Sequence, residues 1–240
     1  MGSLVGKHVM ITSGPTRGYI DAVRYISNTS TGKLGAMIAT ELLKSGACVT
    51  FIYGIGSRIP DIALLDKDCA RRLMLIEVET IDDLATTTQE KLKDNSFDAI
   101  VHAMAVIDYT PEARSNGKIP SNKDTLVVTF VRAPKILKLI RKLWPRAFLI
   151  SFKLEVGLSR DKLVERAYTS LIENSADLVV ANNQGEIAGN KHQAYLVNSQ
   201  KNIESCCETK QDIAKELVTA ISKHLKPINQ PHKKCFPDIG

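Results

Sequence analysis

The sequence predicts an α/β protein with a doubly wound, mostly parallel, Rossmann-like sheet, and three observations indicate this class. Short apolar, β-branched runs alternate along the chain with segments whose apolar residues recur at helical spacing. The 240 residues are 44% hydrophobic and 24% charged, which is the ordinary composition of a globular protein. No run of 18 or more apolar residues occurs, so we predict neither a membrane-spanning segment nor a membrane partner.

The first half of the chain predicts four strands and two helices. The strands are expected at 7–13, 48–53, 73–78 and 97–105. The first helix, 35–45, should end at Gly46, because glycine is a usual helix stop. The second helix, 81–93, should begin at Thr80 or Asp82. Strands that alternate with helices in this way favour a parallel sheet with helices on both faces.

The second half continues the same alternation. Strands are expected at 147–153, 177–182 and 194–197, and 126–130 alternates apolar with polar residues. Helices are expected at 134–142, 160–174 and 209–225. Pro134 should open the first of these helices, because proline suits the first helical turn. We therefore predict one nucleotide-binding domain at 1–226 and a loose C-terminal tail at 227–240.

The segment Thr110–Lys123 interrupts the rhythm of strands and helices. It contains Pro111, Gly117 and Pro120, and it has no periodic pattern. Long irregular loops in compact domains are often functional. We expect this segment to form a flap over a site at the edge of the sheet.

The net charge and the spacing of the cysteines restrict which binding partners and which cellular compartment we predict. The formal net charge is +6, but the basic residues are scattered and aromatic residues make up only 5%, so no nucleic-acid partner is predicted. Positive charge gathered in a cleft would instead suit phosphorylated small molecules. The five cysteines show no CxxC spacing, and a disulfide between the adjacent Cys206 and Cys207 would be strained. Together with the lack of a signal peptide, this predicts a cytoplasmic protein with reduced thiols.

The first junction between a strand and a helix is rich in small residues. Gly14 lies in the turn after the first strand, and Ser30, Thr31 and Gly32 precede the first helix. Small residues let backbone N–H groups approach an anion, and the positive end of a helix favours phosphate. The same residues are also preferred as helix caps. The pattern alone leaves both interpretations open.

The sequence motifs of other common nucleotide-binding and metal-binding sites are absent. Leu34 follows Gly32-Lys33, so the phosphate loop GxxxxGK[ST] is absent, and no GxGxxG turn or Tyr-x-x-x-Lys pair supports a nicotinamide-dependent oxidoreductase. The five histidines are dispersed and show no metal-ligand spacing, so no dedicated metal ligand is predicted. His102 lies in an apolar strand and is expected to be a buried, hydrogen-bonded histidine and not a ligand.

Six blocks of sequence, in order, resemble the phosphopantothenate–cysteine ligases. The first and longest runs from Ser13 to Gly35. The others are 105–109 (AVIDY), 118–119 (KI), 134–137 (PKIL), 151–154 (SFKL) and 177–182 (DLVVAN). The resemblance covers roughly residues 7–225. It is closest to the short stand-alone form, which lacks the flavin-binding decarboxylase half that many bacterial members carry.

The resemblance implies a two-step ligation. In that family the carboxylate of 4′-phosphopantothenate attacks the α-phosphate of a nucleoside triphosphate, and pyrophosphate leaves. The amine of L-cysteine then attacks the acyl-nucleotide to form an amide. Activation is needed because a carboxylate oxygen is a poor leaving group. The resemblance also implies CTP or ATP as co-substrate, and a homodimer. Mg²⁺ is expected with the nucleotide, because it needs few dedicated protein ligands.

The resemblance assigns roles to individual residues by position. Asn28 would contact the acyl-nucleotide, Lys118 on the flap would stabilise its charge, and Arg24 would line the same pocket. The implied nucleotide-binding residues are Gly14, Ser30, Thr31, Gly32, Met104, Ala105, Asp108, Pro134, Lys135, Ile136, Leu137 and Phe152.

The sequence departs from the family pattern on one helix. Bacterial members usually carry two lysines, four residues apart, where this chain has Thr169 and Glu173, so two expected nucleotide-binding charges are missing. The stretch 144–155 looks more like the eukaryotic, ATP-using branch, whereas bacterial members use CTP. The nucleotide therefore stays open. A ligase with another acid or amine, or a non-catalytic nucleotide-binding protein on the same scaffold, is the alternative.

Overall fold

The computed structural model describes residues 4–189 and 191–225, and the predicted tail at 227–240 lies outside them. The strands are β1 (His8–Ser13), β2 (Arg17–Tyr19), β3 (Tyr25–Ser27), β4 (Cys48–Gly54), β5 (Leu73–Val78), β6 (Ala99–His102), β7 (Tyr109–Pro111), β8 (Phe130–Arg132), β9 (Phe148–Glu155), β10 (Leu178–Ala188), β11 (Lys191–Asn198) and β12 (Ile203–Thr209). The α-helices are α1 (Lys33–Lys44), α2 (Lys67–Arg71), α3 (Ile81–Thr86), α4 (Ile136–Leu143), α5 (Arg160–Asn174) and α6 (Lys210–His224).

Eight strands form one sheet in the order β12-β11-β10-β9-β6-β1-β4-β5. The strands from β10 to β5 pair in parallel, and β11 and β12 add an antiparallel edge, which confirms the mostly parallel sheet. The chain leaves β1 through α1 towards β4, and it later returns through α3 to β6 on the other side of β1. Such a reversal leaves a crevice at the carboxyl ends of the two strands, where ligands bind in open α/β sheets.

Helices cover both faces of the sheet. Successive strand residues point to opposite faces, so each strand contributes side chains to two cores. Val9 and Ile11 of β1 belong to a core shared with α1 and α6. Met10 belongs to the opposite core, which α3, α4 and α5 complete. The doubly wound arrangement is therefore confirmed. Within the described ranges, no helix is long and apolar enough to cross a membrane.

Two predicted helices differ from the structure in their details. The helix expected at 81–93 begins after Thr80, whose side chain forms a reciprocal capping box with Asp83. After α3 it continues as a π-helical turn, Thr87–Lys91. The expectation that Pro134 opens a helix is wrong. The residues after β8 stay extended through Lys135, which is the N-cap, and α4 begins at Ile136.

The short ribbons and the last strand of the sheet were not expected from the sequence. β2 pairs with β3, and β7 pairs with β8, as two antiparallel ribbons outside the main sheet. Of the alternating stretch 126–130, only Phe130 enters a strand. Residues 112–129 between β7 and β8 form neither helix nor strand, so the irregular segment is longer than predicted. The thiols of Cys206 and Cys207 are free, as expected, but Cys48 is disulfide-bonded, so the expectation of reduced thiols is wrong at that position.

Candidate functional site

A cleft of about 1050 Å³ opens at the carboxyl ends of the central strands, beside the reversal at β1 and β6. Its volume is that of a site for a nucleotide-sized ligand. Nine predicted site residues line it: Asn28, Met104, Ala105, Asp108, Pro134, Lys135, Ile136, Leu137 and Phe152. Four of the six blocks that carry the resemblance therefore converge on one cavity, although they are far apart in the chain.

Asn28 joins two walls of this cleft. Its Nδ2 donates to the carbonyl oxygens of Ala105 at 3.3 Å and Val106 at 3.1 Å. The N–H of Ala105 in turn donates to the carbonyl of Gly14 at 2.8 Å, which fixes the segment that follows β6 against the turn that follows β1. Because the two carbonyls occupy the amide nitrogen, Oδ1 is the atom of Asn28 left for a ligand, and it can only accept a hydrogen bond.

An exposed ion pair lies at the rim of the cleft. Lys135 Nζ donates to Asp108 Oδ1 at 2.6 Å, and the N–H of Ala133 donates to the carbonyl of Asp108 at 2.9 Å. These bonds hold the start of α4 against the segment that follows β6. The ion pair is solvent-exposed on both sides, so its contribution to stability is small.

The remaining charges of the cleft are mainly positive. Arg132, Lys138 and Arg166 line it without an ion pair to any described residue. Lys153 pairs with Glu155 at 3.2 Å, and Glu173 is the carboxylate that faces the cleft unpaired within the described chain. Unpaired cations in a concave site favour an anionic ligand.

Arg166 is one of the cationic cleft residues that the sequence reasoning missed. It lines the cleft together with Thr169, Ser170 and Glu173, which follow it on the same face of α5 at helical spacing. The Thr169 hydroxyl is bonded to the carbonyl of Glu165 at 3.0 Å, within its own helix. A positive charge expected at 169 is therefore supplied one turn earlier. The helical spacing is the signal that could have identified Arg166.

His102 forms part of the cleft floor and is buried. Its Nδ1 is hydrogen-bonded to Thr12 Oγ1 at 2.6 Å, and burial lowers its pKa to about 4. The imidazole is therefore neutral near pH 7, as expected for a hydrogen-bonded core histidine. The described residues contain no group of three metal-ligating side chains.

The predicted phosphate-binding residues lie beside the cleft, at the start of α1. Gly14 and Gly32 have φ angles of 78° and 71°, and side chains there would strike Ser57, since a Cβ on Gly14 would lie 1.9 Å from Ser57 Oγ. The hydroxyls of Ser30 and Thr31 accept long hydrogen bonds from the N–H groups of Gly32, at 3.5 Å, and Lys33, at 3.4 Å. They are local bonds ahead of the helix and not caps, because the N-cap of α1 is Gly32 and no side chain makes a cap hydrogen bond there.

Two lysines occupy the first positions of neighbouring helices. Lys33 begins α1 and Lys210 begins α6, and the two helices pack in one core. Neither lysine has an ion pair among the described residues. Burial lowers the pKa of Lys210, and the charge of Lys33 lowers it further. A cation at a helix N-terminus opposes the helix dipole, so an anion bound here would be stabilised.

Arg24 and Lys118 do not line the cleft. Arg24 Nη1 donates to Asp21 Oδ2 at 3.0 Å and to the carbonyl of Ile119 at 3.3 Å. Lys118 is exposed on the 112–129 segment, which encloses a smaller cavity of about 350 Å³ with Ile20. The structure therefore brings these two predicted catalytic residues near each other, outside the lining of the cleft.

Comparison with known proteins matches the described chain, over its whole length, to one protein family. Residues 4–225 match the DNA/pantothenate metabolism flavoprotein C-terminal domain. The coenzyme A biosynthesis bifunctional protein CoaBC of Thermococcus kodakarensis is 35% identical over 223 residues, which cover 93% of this chain and 53% of that protein. The chain thus spans about half the length of the curated relatives it matches.

Two solved structures share the fold and have detectable sequence similarity to this chain. The DNA/pantothenate metabolism flavoprotein from Streptococcus pneumoniae superposes with a TM-score of 0.80 at 32% identity, covering 91% of this chain and 100% of that one. The C-terminal domain of CoaBC superposes with a TM-score of 0.73 at 25% identity, covering 93% and 98%.

Proposed function

Because this chain belongs to the DNA/pantothenate metabolism flavoprotein C-terminal domain family, we propose that it is a phosphopantothenate–cysteine ligase. It joins 4′-phosphopantothenate to L-cysteine through an acyl-nucleotide and releases pyrophosphate. The observation that carries the proposal is the convergence of Asn28, the segment after β6, the start of α4 and Phe152 on one cationic, nucleotide-sized cleft. The matched relatives named as coenzyme A biosynthesis proteins support it.

In this proposal the cleft activates the acid and then directs the amine. Asp108, Pro134–Leu137 and Phe152 hold the base and sugar, while Arg132 and Arg166 attract the negative charge of the nucleotide. Asn28 lies at the acyl-nucleotide, where its free Oδ1 accepts a hydrogen bond from the incoming amine of cysteine. An acceptor suits this step because an amine presents N–H donors.

The phosphates are proposed to lie at the start of α1, near Gly14, Ser30, Thr31 and Gly32. Support comes from the unpaired Lys33 at the first helical position and from Lys210 on the packed helix. Backbone N–H groups and two ammonium groups would stabilise the charge that develops as pyrophosphate leaves. The nucleotide is CTP or ATP with Mg²⁺.

A homodimer is part of the proposal. Side chains on and beside the two ribbons expose large apolar surfaces, with Val23 58%, Tyr109 53% and Val127 89% exposed. Contiguous exposed apolar residues often mark an interface. We further propose that residues 1–226 act as one ligase domain, with 227–240 as a loose tail that lies outside the described residues.

The test is pyrophosphate release with 4′-phosphopantothenate and L-cysteine, run in parallel with CTP and with ATP. Turnover that requires both the acid and the amine is the expected result, and the active nucleotide identifies the base preference. Folded protein that stays silent with both nucleotides would contradict the proposal.

One observation favours a second candidate. Thr169 and Glu173 stand in the cleft where two cations were expected. They suit a ligase for another acid or amine, or a protein that binds a nucleotide without turnover. Nucleotide binding measured by calorimetry, without pyrophosphate release, would support the non-catalytic alternative.

A further inference from the structure

Asp21 is a fully buried carboxylate in the turn between β2 and β3. Its Oδ1 accepts hydrogen bonds from the N–H of Val23 at 2.8 Å and of Arg24 at 2.7 Å. Its Oδ2 accepts from Arg24 Nη1 at 3.0 Å and from the N–H of Ile119 at 3.1 Å. The bond from the Val23 amide is the largest cause of a lowered Asp21 pKa, so the carboxylate is ionised near pH 7. One buried charge thus joins the turn to the 112–129 segment.

The bonds between the turn and the segment lie on both sides of Lys118. Ser115 donates its N–H to the carbonyl of Ile20 at 3.0 Å, and Gly117 accepts from the N–H of Ala22 at 3.5 Å. Ile119 gives its N–H to Asp21 and accepts from Arg24. Lys118 itself is exposed and makes no hydrogen bond or ion pair with the described residues. Its backbone is fixed while its side chain stays available.

We propose that Asp21 is a positioning residue that fixes the segment carrying Lys118, so that the Lys118 ammonium is presented to the reacting groups. This inference rests on the proposed ligase function. Ordering a long irregular segment costs conformational entropy, and charge-assisted hydrogen bonds are among the stronger local contacts that offset it. Arg24 acts in the same device as the bridge between Asp21 and the Ile119 carbonyl.

The substitution Asp21→Asn removes the negative charge of Asp21 and keeps the shape of its side chain. Asparagine keeps one acceptor for the turn amides. Its NH₂ group would meet the Ile119 N–H and the Arg24 guanidinium, which are both donors, so the tie to the segment is lost. A matched control is Asp98→Asn, because Asp98 also accepts from a backbone N–H, that of His8, and from a cation, Lys7, but far from the segment.

A double-mutant cycle with Lys118→Gln tests whether Asp21 acts through Lys118. We expect Asp21→Asn to lower kcat about tenfold in the wild-type background and less than about twofold in the Lys118→Gln background. Asp98→Asn should leave kcat unchanged. An equal loss from Asp21→Asn in both backgrounds, or none in either, would overturn the proposal.

Limited trypsin digestion tests the device without any turnover. Arg114, Lys118 and Lys123 are cleavage sites on the segment, and we expect faster cleavage there in Asp21→Asn than in wild type or Asp98→Asn. Equal rates in the three proteins would overturn the proposal, whereas inactive wild-type protein with the expected digestion pattern would count only against the ligase function. If Asp21→Asn does not fold, Arg24→Gln removes the bridge from Asp21 to the Ile119 carbonyl and should also speed cleavage on the segment. Wild-type behaviour of that variant would equally overturn the proposal.

Discussion

The hydrogen bonds of Asn28 indicate the step of the proposed reaction in which it would act. Its amide nitrogen is held by the carbonyls of Ala105 and Val106, so only an acceptor remains for a ligand. That arrangement is suited to directing a nucleophile with N–H groups, and it offers little to a phosphate. Asn28 should therefore matter more for amide formation than for nucleotide activation.

Asn28→Asp should slow amide formation more than pyrophosphate release. The carboxylate cannot donate to the two carbonyls, and it would be repelled from them, so the walls of the cleft separate where the amine must enter. A rapid-quench experiment that follows pyrophosphate and the amide product separately measures both steps. An equal loss in the two steps would place Asn28 elsewhere in the reaction.

Lys118→Gln should lower turnover at least about tenfold, which corresponds to about 1.4 kcal/mol of transition-state stabilisation. The reason is the loss of an unpaired positive charge from a segment whose backbone is fixed. Steady-state pyrophosphate release measures the effect. Lys123→Gln, an exposed lysine of the same segment, is the control and should retain wild-type turnover. A Lys118→Gln variant with wild-type rates would remove Lys118 from the proposed site.

Arg166→Gln should weaken nucleotide binding, because Arg166 is an unpaired cation of the cleft on α5. We expect the nucleotide KM to rise roughly three- to tenfold with a smaller change in kcat, as for loss of a contact made in both ground and transition states. Lys162→Gln changes an exposed cation of the same helix that does not line the cleft, and it should leave KM unchanged. Equal KM values for the two variants would show that Arg166 does not contact the nucleotide.

Long secondary-structure elements were predictable, because their apolar periodicity is read over several turns or pleats. α5 and β5 have the predicted boundaries, Arg160–Asn174 and Leu73–Val78. The ribbons β2–β3 and β7–β8 were not predictable, because strands of three residues show no usable alternation. They depend on tertiary bonds such as those of Asp21, which sequence periodicity does not reveal.

The candidate site was predictable in part, for a related reason. Motif residues such as Asn28 and Phe152 stand in ordered blocks, and the fold brings those blocks to one cleft. Arg166 belongs to no block, and a single arginine on an amphipathic helix is usually a solvated surface charge. Its position in the cleft follows only from the packing of α5 beside β9 and β10.

The molecule as a whole holds two buried histidines in their neutral form, which links its stability to pH. Burial lowers the pKa of His102 to about 4, and burial together with the charge of Lys210 lowers that of His192 to about 4. In the unfolded chain both would titrate near 6.5. The folded state binds fewer protons between these values, so stability is complete above about pH 6.5 and falls as the pH drops towards 4.

His102→Gln should flatten this pH dependence. For a group that titrates near 6.5 when unfolded and near 4 when folded, the free energy of unfolding falls by about 2 kcal/mol between pH 7 and pH 5. Glutamine does not titrate between pH 5 and pH 7 and can still hydrogen-bond to Thr12. Over this range the free energy of unfolding of the variant should therefore fall by about 2 kcal/mol less than that of the wild type. Urea unfolding at the two pH values measures the difference, and His102→Gln combined with His192→Gln should flatten the curve further. Parallel pH profiles for wild type and His102→Gln would mean that His102 is not held neutral by the fold.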